Sequence, residues 1–479
     1  MIFLRKVWSG LRSTTIKAYA IKLAICVSIF LFAILVWWHA IWMVAVVACL
    51  FIACEFNVKS IVYILFFSSF LNNDYGDWIS VMVAFFAIVC LVLFIVKTTR
   101  KEKNQSALLL CGILAFIAYG FLTSIKSLTD FAMLDRYAYI ALHMVLLFFV
   151  FVLKKDLNFK HLVFFFIAGI LTSSVIGAFV EVIPALATRI AEYRSYGLTR
   201  FCGLTGNPNR FHMFVLAGIV GLFVLDLQKQ VLKRQLFPLL AILLALGLST
   251  VSRTFFVVIV ILLVAYITLK IVREKKAALK RVLVIGAVTL AICLVMAPYT
   301  GATANRIINI PEKAENQIIK RLKPLRHDRL KTLPELPPDF DDPGREGIWE
   351  RNLKDWMSSP TAFLFGRGFG SQNIGQIHQH NDIVFFLVKS GLVGLLLFIF
   401  FLFTLCYTMF KVKKYKFCLV PFLFLLAFVG IGMFELIIPK IQGIIYFIFF
   451  VLCFANKETP TEIPAKKVKP LHTTKETSI

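Results

Sequence analysis

Leu248-Ser249-Thr250-Val251-Ser252-Arg253-Thr254 sits in the middle of an apolar run that extends from about Phe237 to Val272. One helix crosses a bilayer with about 20 residues, so this run is too long for one span and suits two joined by a tight turn. The turn falls on the Ser/Thr-rich heptapeptide and sets Arg253 at or slightly below a membrane surface. Outward from it, apolar stretches of spanning length alternate with short charged clusters. Hydrophobic residues make up 59% of the chain and include 49 phenylalanines, which excludes an ordinary soluble protein. We expect an all-α polytopic membrane protein of about 12–14 transmembrane helices with one long, partly helical outer loop.

The net charge of +26 would point to nucleic acid in a soluble protein. Here it reports orientation, because basic loops stay cytoplasmic, and no nucleic-acid partner is expected. Basic clusters at Lys97–Lys103, Lys154–Lys160, Lys229–Arg234, Lys270–Arg281 and Lys411–Lys416 can all be inside without conflict. The turns near Asn72–Asp77, Ser124–Arg136 and Pro184–Arg210 then lie outside, with the 300–381 segment. The expected organisation is a transmembrane region over 1–299 with a cytoplasmic N-terminus, the outer loop over 300–381, spans over 382–455 and a disordered cytoplasmic tail over 456–479. Apolar runs between Trp37 and Phe70 are short and abut, which leaves the number of spans there open. Arg5, Lys6, Arg12, Lys17 and Lys22 precede the first span without a small-residue cleavage site, so that span should remain as an anchor. The ten cysteines include no Cys-x-x-Cys pair, and only Cys202 falls clearly in an outer loop. Neither a disulfide framework nor a structural zinc site is indicated.

The outer segments run against the charge rule. Arg306, Lys313, Lys320, Arg321, Lys323, Arg326, Arg329 and Lys331 can be a solvated face balanced by Glu312, Glu315, Asp341 and Asp342. Arginines beside the spans point instead to an anionic ligand at the membrane-water boundary, with phosphate as the anion that suits guanidinium best. Arg253 is either a snorkelling end residue or, with Ser249, Thr250, Ser252 and Thr254 around it, part of a ligand-facing polar pocket. Arg210 and Arg367 are further candidates for the same anion.

Residues 345–357 have helical periodicity: Trp349, Leu353 and Trp356 fall at i, i+4 and i+7, and Ser359-Pro360 ends the helix. Arg345 shares that apolar face, and a purely interfacial helix is the alternative use of it. In Phe365-Gly366-Arg367-Gly368-Phe369-Gly370-Ser371 the glycines either let backbone approach a ligand or form only a flexible turn. The segment closes with Ile377-His378-Gln379-His380-Asn381-Asp382, where Asn381 or Asp382 can cap the following helix. His380 then stands near that helix's positive end, which disfavours imidazolium and keeps a neutral ring available as a base. His378 and His380 have no third ligand beside them, so no metal is expected. Glu346 and Glu350 are spaced for an acid/base pair or for solvent-facing charge.

The order of these motifs resembles the O-antigen ligase/polymerase superfamily over about residues 200–455. The features that carry it are a Ser-Arg-Thr turn between spans, a long loop with Gly-Arg, Trp, Ser-Pro and Gly-x-Gly, and His-Asn opening a helix with Ser-Gly-Leu-Val-Gly. Val429-Gly430-Ile431-Gly432-Met433-Phe434-Glu435 resembles the C-terminal end of such ligases. The resemblance implies a multi-pass enzyme of the bacterial inner membrane with its site facing the periplasm, so the outer loop would be periplasmic. The donor would be a glycan on undecaprenyl diphosphate and the acceptor lipid A-core, with membrane lipids around them and neither metal nor other cofactor. It further implies His380 as base and Arg253 and Arg345 as holders of the diphosphate, with Arg210, Arg367, His378 and Asn381 as substrate contacts. A polysaccharide polymerase using the same donor is the nearest alternative, and a polysaccharide transporter or flippase a further one. Two departures stand out: the insert Lys323–Pro343 is long, and Gln379 separates two histidines either of which can act.

Overall fold

The computed structural model describes residues 62–63, 66–67, 100–124, 131–154, 157–182, 194–195, 198–205, 207–274, 344–368, 381–412, 419–435, 437 and 441–455. The first anchor span, the basic run and insert within 300–343, the C-terminal tail, His378 and His380 lie outside these residues. The described helices are α1 (Arg100–Ser124), α2 (Phe131–Leu153), α3 (Phe159–Val182), α4 (Pro208–Leu227), α5 (Lys233–Ser249) and α6 (Arg253–Glu274). They continue with α7 (Gly344–Trp356), α8 (Pro360–Phe365), α9 (Asp382–Val412), α10 (Phe422–Gly432) and α11 (Ile441–Ala455). A two-residue antiparallel ladder pairs Arg194 with Thr199 and Ser195 with Leu198. Among the described residues, four helical stretches are long and apolar enough to cross a membrane: Phe159–Ala178, Pro208–Leu227, Arg253–Arg273 and Asp382–Phe410. Shorter apolar stretches lie in α1, α2, α10 and α11. The chain is an all-α polytopic membrane protein.

Helix α4 is apolar on every face, and a helix of that kind is stable only when enclosed. It is buried along nearly its whole length and packs against α3, α5, α6, α10 and α11. Asn207 caps it by accepting a hydrogen bond from the Asn209 amide, and Pro208 occupies the first helical position, where a missing N–H costs nothing. Tyr446 of α11 donates to the Met213 carbonyl at 2.7 Å, which satisfies a buried hydroxyl inside an otherwise aliphatic and phenylalanine-lined interface. By contrast, α6 and α9 each present an apolar outer face that includes Val260, Val264, Ile399 and Phe403. Such faces suit contact with lipid.

The C-terminal end of α4 carries a buried ion pair. Lys270 of α6 pairs with Asp226, the Tyr266 hydroxyl donates to the same carboxylate at 2.6 Å, and the Tyr266 ring stacks on Phe223 with centroids 4.2 Å apart. Arg273 donates to the Leu227 carbonyl at 2.8 Å. Lys270, which the sequence groups with a solvated basic cluster, is therefore an interior residue. Removing one partner of such a pair leaves an uncompensated buried charge, at about 3–5 kcal/mol.

Helix α9 is broken at Gly391, whose φ of 65° and ψ of −171° lie outside the helical region. The break leaves carbonyls without intrahelical donors, and apolar surroundings require that each be met. The Arg367 and Gly368 amides donate to Val388 and Lys389 at 2.8 and 2.9 Å, and the Tyr119 hydroxyl of α1 donates to Ser390 at 2.6 Å. Gly366 (φ 72°) lies back to back with Gly391; a Cβ on Gly391 would stand 2.4 Å from the Leu364 carbonyl oxygen. Gly391→Ala is expected to lower the thermal midpoint of the detergent-purified protein by several degrees or abolish its yield. The left-handed conformation alone costs about 1–3 kcal/mol for a residue with a Cβ, and fluorescence-detected melting checks it. An unshifted midpoint would show that the two backbones do not meet.

Candidate functional site

The chemistry-bearing residues gather at the opposite end of α4, where α4, α6 and α9 begin and α5 and α10 finish. Helix α5 ends at Ser249, and Arg253 is the first residue of α6, so the turn stands where the apolar run requires it. Val251 within the turn has a φ of 49° and is 1% exposed. A β-branched residue in the left-handed region is a genuine outlier, strained by about 1–3 kcal/mol and retained only where surrounding contacts hold it.

Those contacts come from the segment before α4. The Phe201 amide donates to the Ser249 carbonyl at 3.1 Å, and Arg200 Nε donates to the Thr250 carbonyl at 2.8 Å. Arg200 Nη2 also donates to Asn209 Oδ1 at 2.8 Å, and Asn209 Nδ2 donates to Glu435 Oε1 at 3.0 Å. Arg200 and Glu435 are both buried. Beyond Glu435, the same C-terminal segment holds the start of α9. Asn381 Nδ2 donates to the Met433 carbonyl at 3.1 Å, and the Ile437 amide donates to Asp382 Oδ1 at 3.1 Å. Asn381 is the cap: its Oδ1 accepts from the Ile383 and Val384 amides at 2.9 and 3.1 Å.

Three of the hydroxyls beside Arg253 make local backbone bonds. Ser249 donates to the Leu246 carbonyl at 2.8 Å and Thr250 to the Gly247 carbonyl at 2.7 Å, while Ser252 accepts from the Phe255 amide at 3.4 Å. They terminate one helix and start the next. Arg253 itself is exposed. Arg210, in the first turn of α4, is half-buried.

Helix α7 begins at Gly344, with Arg345 as its second residue, and packs against α9. Among its described side chains Ile348 is buried, with Trp349, Asn352, Leu353, Asp355 and Trp356 half-buried around it. Ser359 and Pro360 end α7 and at once start α8, where Ser359 caps by accepting from the Ala362 amide at 3.1 Å. Trp356 folds α8 back on α7, donating to the Phe363 carbonyl at 2.9 Å and stacking on the Phe363 ring. The glycine-flanked Arg367 is held by Asp355 Oδ1 at 2.8 Å and Ser358 Oγ at 2.6 Å. Its neighbours approach the broken turn of α9, so backbone is what the glycines admit there. Glu350, facing solvent, is paired with Lys354 at 2.6 Å, which holds its carboxyl below the usual range.

The structure thus brings Arg210, Arg253 and Asn381 to one end of the bundle and sets Arg367 beside the break in α9. Sequence reasoning counted Arg200 only among the outward arginines of the Pro184–Arg210 loop and gave Asn209 and Glu435 no part in a site. A signal existed: Glu435 is the only acid between Asp382 and Glu458, and an ionisable residue in such a tract is functional by default.

A family model described as O-Antigen ligase matches residues 237–399. Over that segment the chain is similar to the O-antigen ligase superfamily. No curated protein matches it. The ligase match opens in α5 and closes in α9, and it encloses the Arg253 turn, α7, α8 and the break at Gly391. The match supports glycosyltransferase-like activity of the ligase or polymerase type, on lipid-linked glycans within a membrane.

Proposed function

We propose that the protein is an O-antigen ligase that transfers a glycan from undecaprenyl diphosphate to the outer core sugar of lipid A-core at the periplasmic face of the inner membrane. The supporting observation is the placement of its arginines. Arg210, Arg253 and Arg345 are the third, first and second residues of α4, α6 and α7. A cation in the first helical turn meets the positive end of the helix dipole, which is unfavourable by about 0.3–1 kcal/mol and makes no sense as helix stabilisation. Three such placements suit an anion that the helix ends and guanidinium groups hold together.

In the reaction, a core-sugar hydroxyl attacks the anomeric carbon and the bond from that carbon to the phosphate oxygen breaks. Undecaprenyl diphosphate leaves with the electron pair, and Arg253 and Arg345 stabilise the charge that grows on its oxygens. His380, the residue before Asn381, takes the hydroxyl proton as a neutral base, with His378 and Arg210 as substrate contacts. Attack from the face opposite the leaving group inverts the anomeric centre. Asn381 fixes the start of α9, and Arg367 braces α7 against the break, so both position the groups that react.

Mass spectrometry of lipopolysaccharide with and without the gene tests the assignment. A ligase mutant is expected to make bare lipid A-core while polymer accumulates on the carrier lipid. A single repeat attached to core would identify a polymerase instead. Purified protein with donor and acceptor in detergent should make product unaided, which a transporter would not.

A further inference from the structure

We infer that Arg200, Asn209 and Glu435 form a positioning relay that sets the Arg253 turn relative to the start of α9. The role in catalysis rests on the reading of Arg253 given under Proposed function; the relay itself rests on geometry. All three residues lie outside the matched segment 237–399, yet their hydrogen bonds link Thr250 within it to the stretch that holds Asn381 and Asp382. One end of the relay is the Thr250 carbonyl, three residues before Arg253 and next to the strained Val251. The other is Glu435, in the Met433–Ile437 stretch that grips Asn381 and Asp382.

Asn209 suits the middle position because its amide presents an acceptor to the guanidinium and a donor to the carboxylate. That orientation is forced, since reversing the amide would oppose donor to donor and acceptor to acceptor. An amide dipole between a buried cation and a buried anion also stabilises both without a titratable group of its own. The strained turn completes the case. Left alone, Val251 would relax, and Arg253 would move with it; the bonds from Arg200 and the Phe201 amide hold it in place.

Asn209→Asp keeps the acceptor for Arg200 but turns a carboxylate toward Glu435. Asn209→Asp combined with Glu435→Gln restores a donor-acceptor pair running the other way, with the wild-type net charge. Amide hydrogen exchange in nanodiscs reads the relay without reference to activity. We expect N209D to raise exchange about tenfold both at Thr250–Phe256 and at Ile383–Phe385, and the double variant to return both to wild-type rates. Transfer kinetics should move in parallel: kcat per folded molecule falls about 10–100-fold in N209D, with the acceptor KM within about twofold, and recovers in the double variant. Arg200→Lys, which keeps charge but loses the fork, serves if N209D does not fold. Exchange rising only near residue 209, or a double variant that restores neither region, would overturn the relay. Wild-type protein that makes no product from an undecaprenyl diphosphate donor would sink the ligase assignment alone, since exchange still decides the relay.

Discussion

Arg253→Ala is expected to reduce transfer from the lipid diphosphate donor by about 10²–10³-fold, the loss typical when one preorganised donor to a developing oxyanion is removed. The effect should fall mainly on kcat and kcat/KM for the donor, leaving the acceptor KM near its wild-type value, because leaving-group charge is greatest in the transition state. The fold should survive. Arg253 is exposed at the first residue of α6, and the turn before it is held by Arg200 and the Phe201 amide. Removing a cation from a helix N-terminus also favours the helix by a few tenths of a kcal/mol. An unchanged or slightly raised melting midpoint with collapsed turnover is therefore the predicted signature. Arg253→Lys should recover part of the rate, since a point charge cannot span two phosphate oxygens as the guanidinium fork can. Steady-state kinetics showing wild-type donor use in R253A would remove Arg253 from the diphosphate site.

What the sequence disclosed here follows the range of the interactions concerned. The α5–α6 hairpin was legible because apolar length alone demands a turn near Arg253, and it stands there. Helix α7, expected over 345–357 from periodicity and the Ser359-Pro360 stop, runs from Gly344 to Trp356. Asn381 as a cap was one of two local options. The break in α9 was not legible, because Ser390-Gly391-Leu392 reads as uninterrupted apolar helix. The groups that stabilise the break are the Arg367 and Gly368 amides and the distant Tyr119 hydroxyl. Lys270 misled for the same reason: its partner Asp226 is 44 residues earlier and on another helix. The local bonds of Ser249 and Thr250 were not legible either, since a hydroxyl that ends a helix and one that meets a ligand look alike in a string of letters.

His380→Ala is expected to cost still more, about 10²–10⁴-fold in kcat, the usual contribution of a positioned general base. Binding should change little, because the proton leaves the acceptor hydroxyl only as the new bond forms. His380 directly precedes Asn381, the cap of a helix whose first amides are already satisfied by the Asn381 side chain. The imidazole is thus not needed to terminate α9, and its loss should leave folding intact. A base must be neutral, so wild-type kcat should fall as the pH drops far enough to protonate the imidazole, while the residual activity of H380A should lose that inflection. His378→Ala is the internal control for the two-histidine ambiguity. If H378A loses the inflection and H380A keeps it, the roles are exchanged. If both single variants keep full turnover and a normal pH profile, proton transfer does not run through this loop.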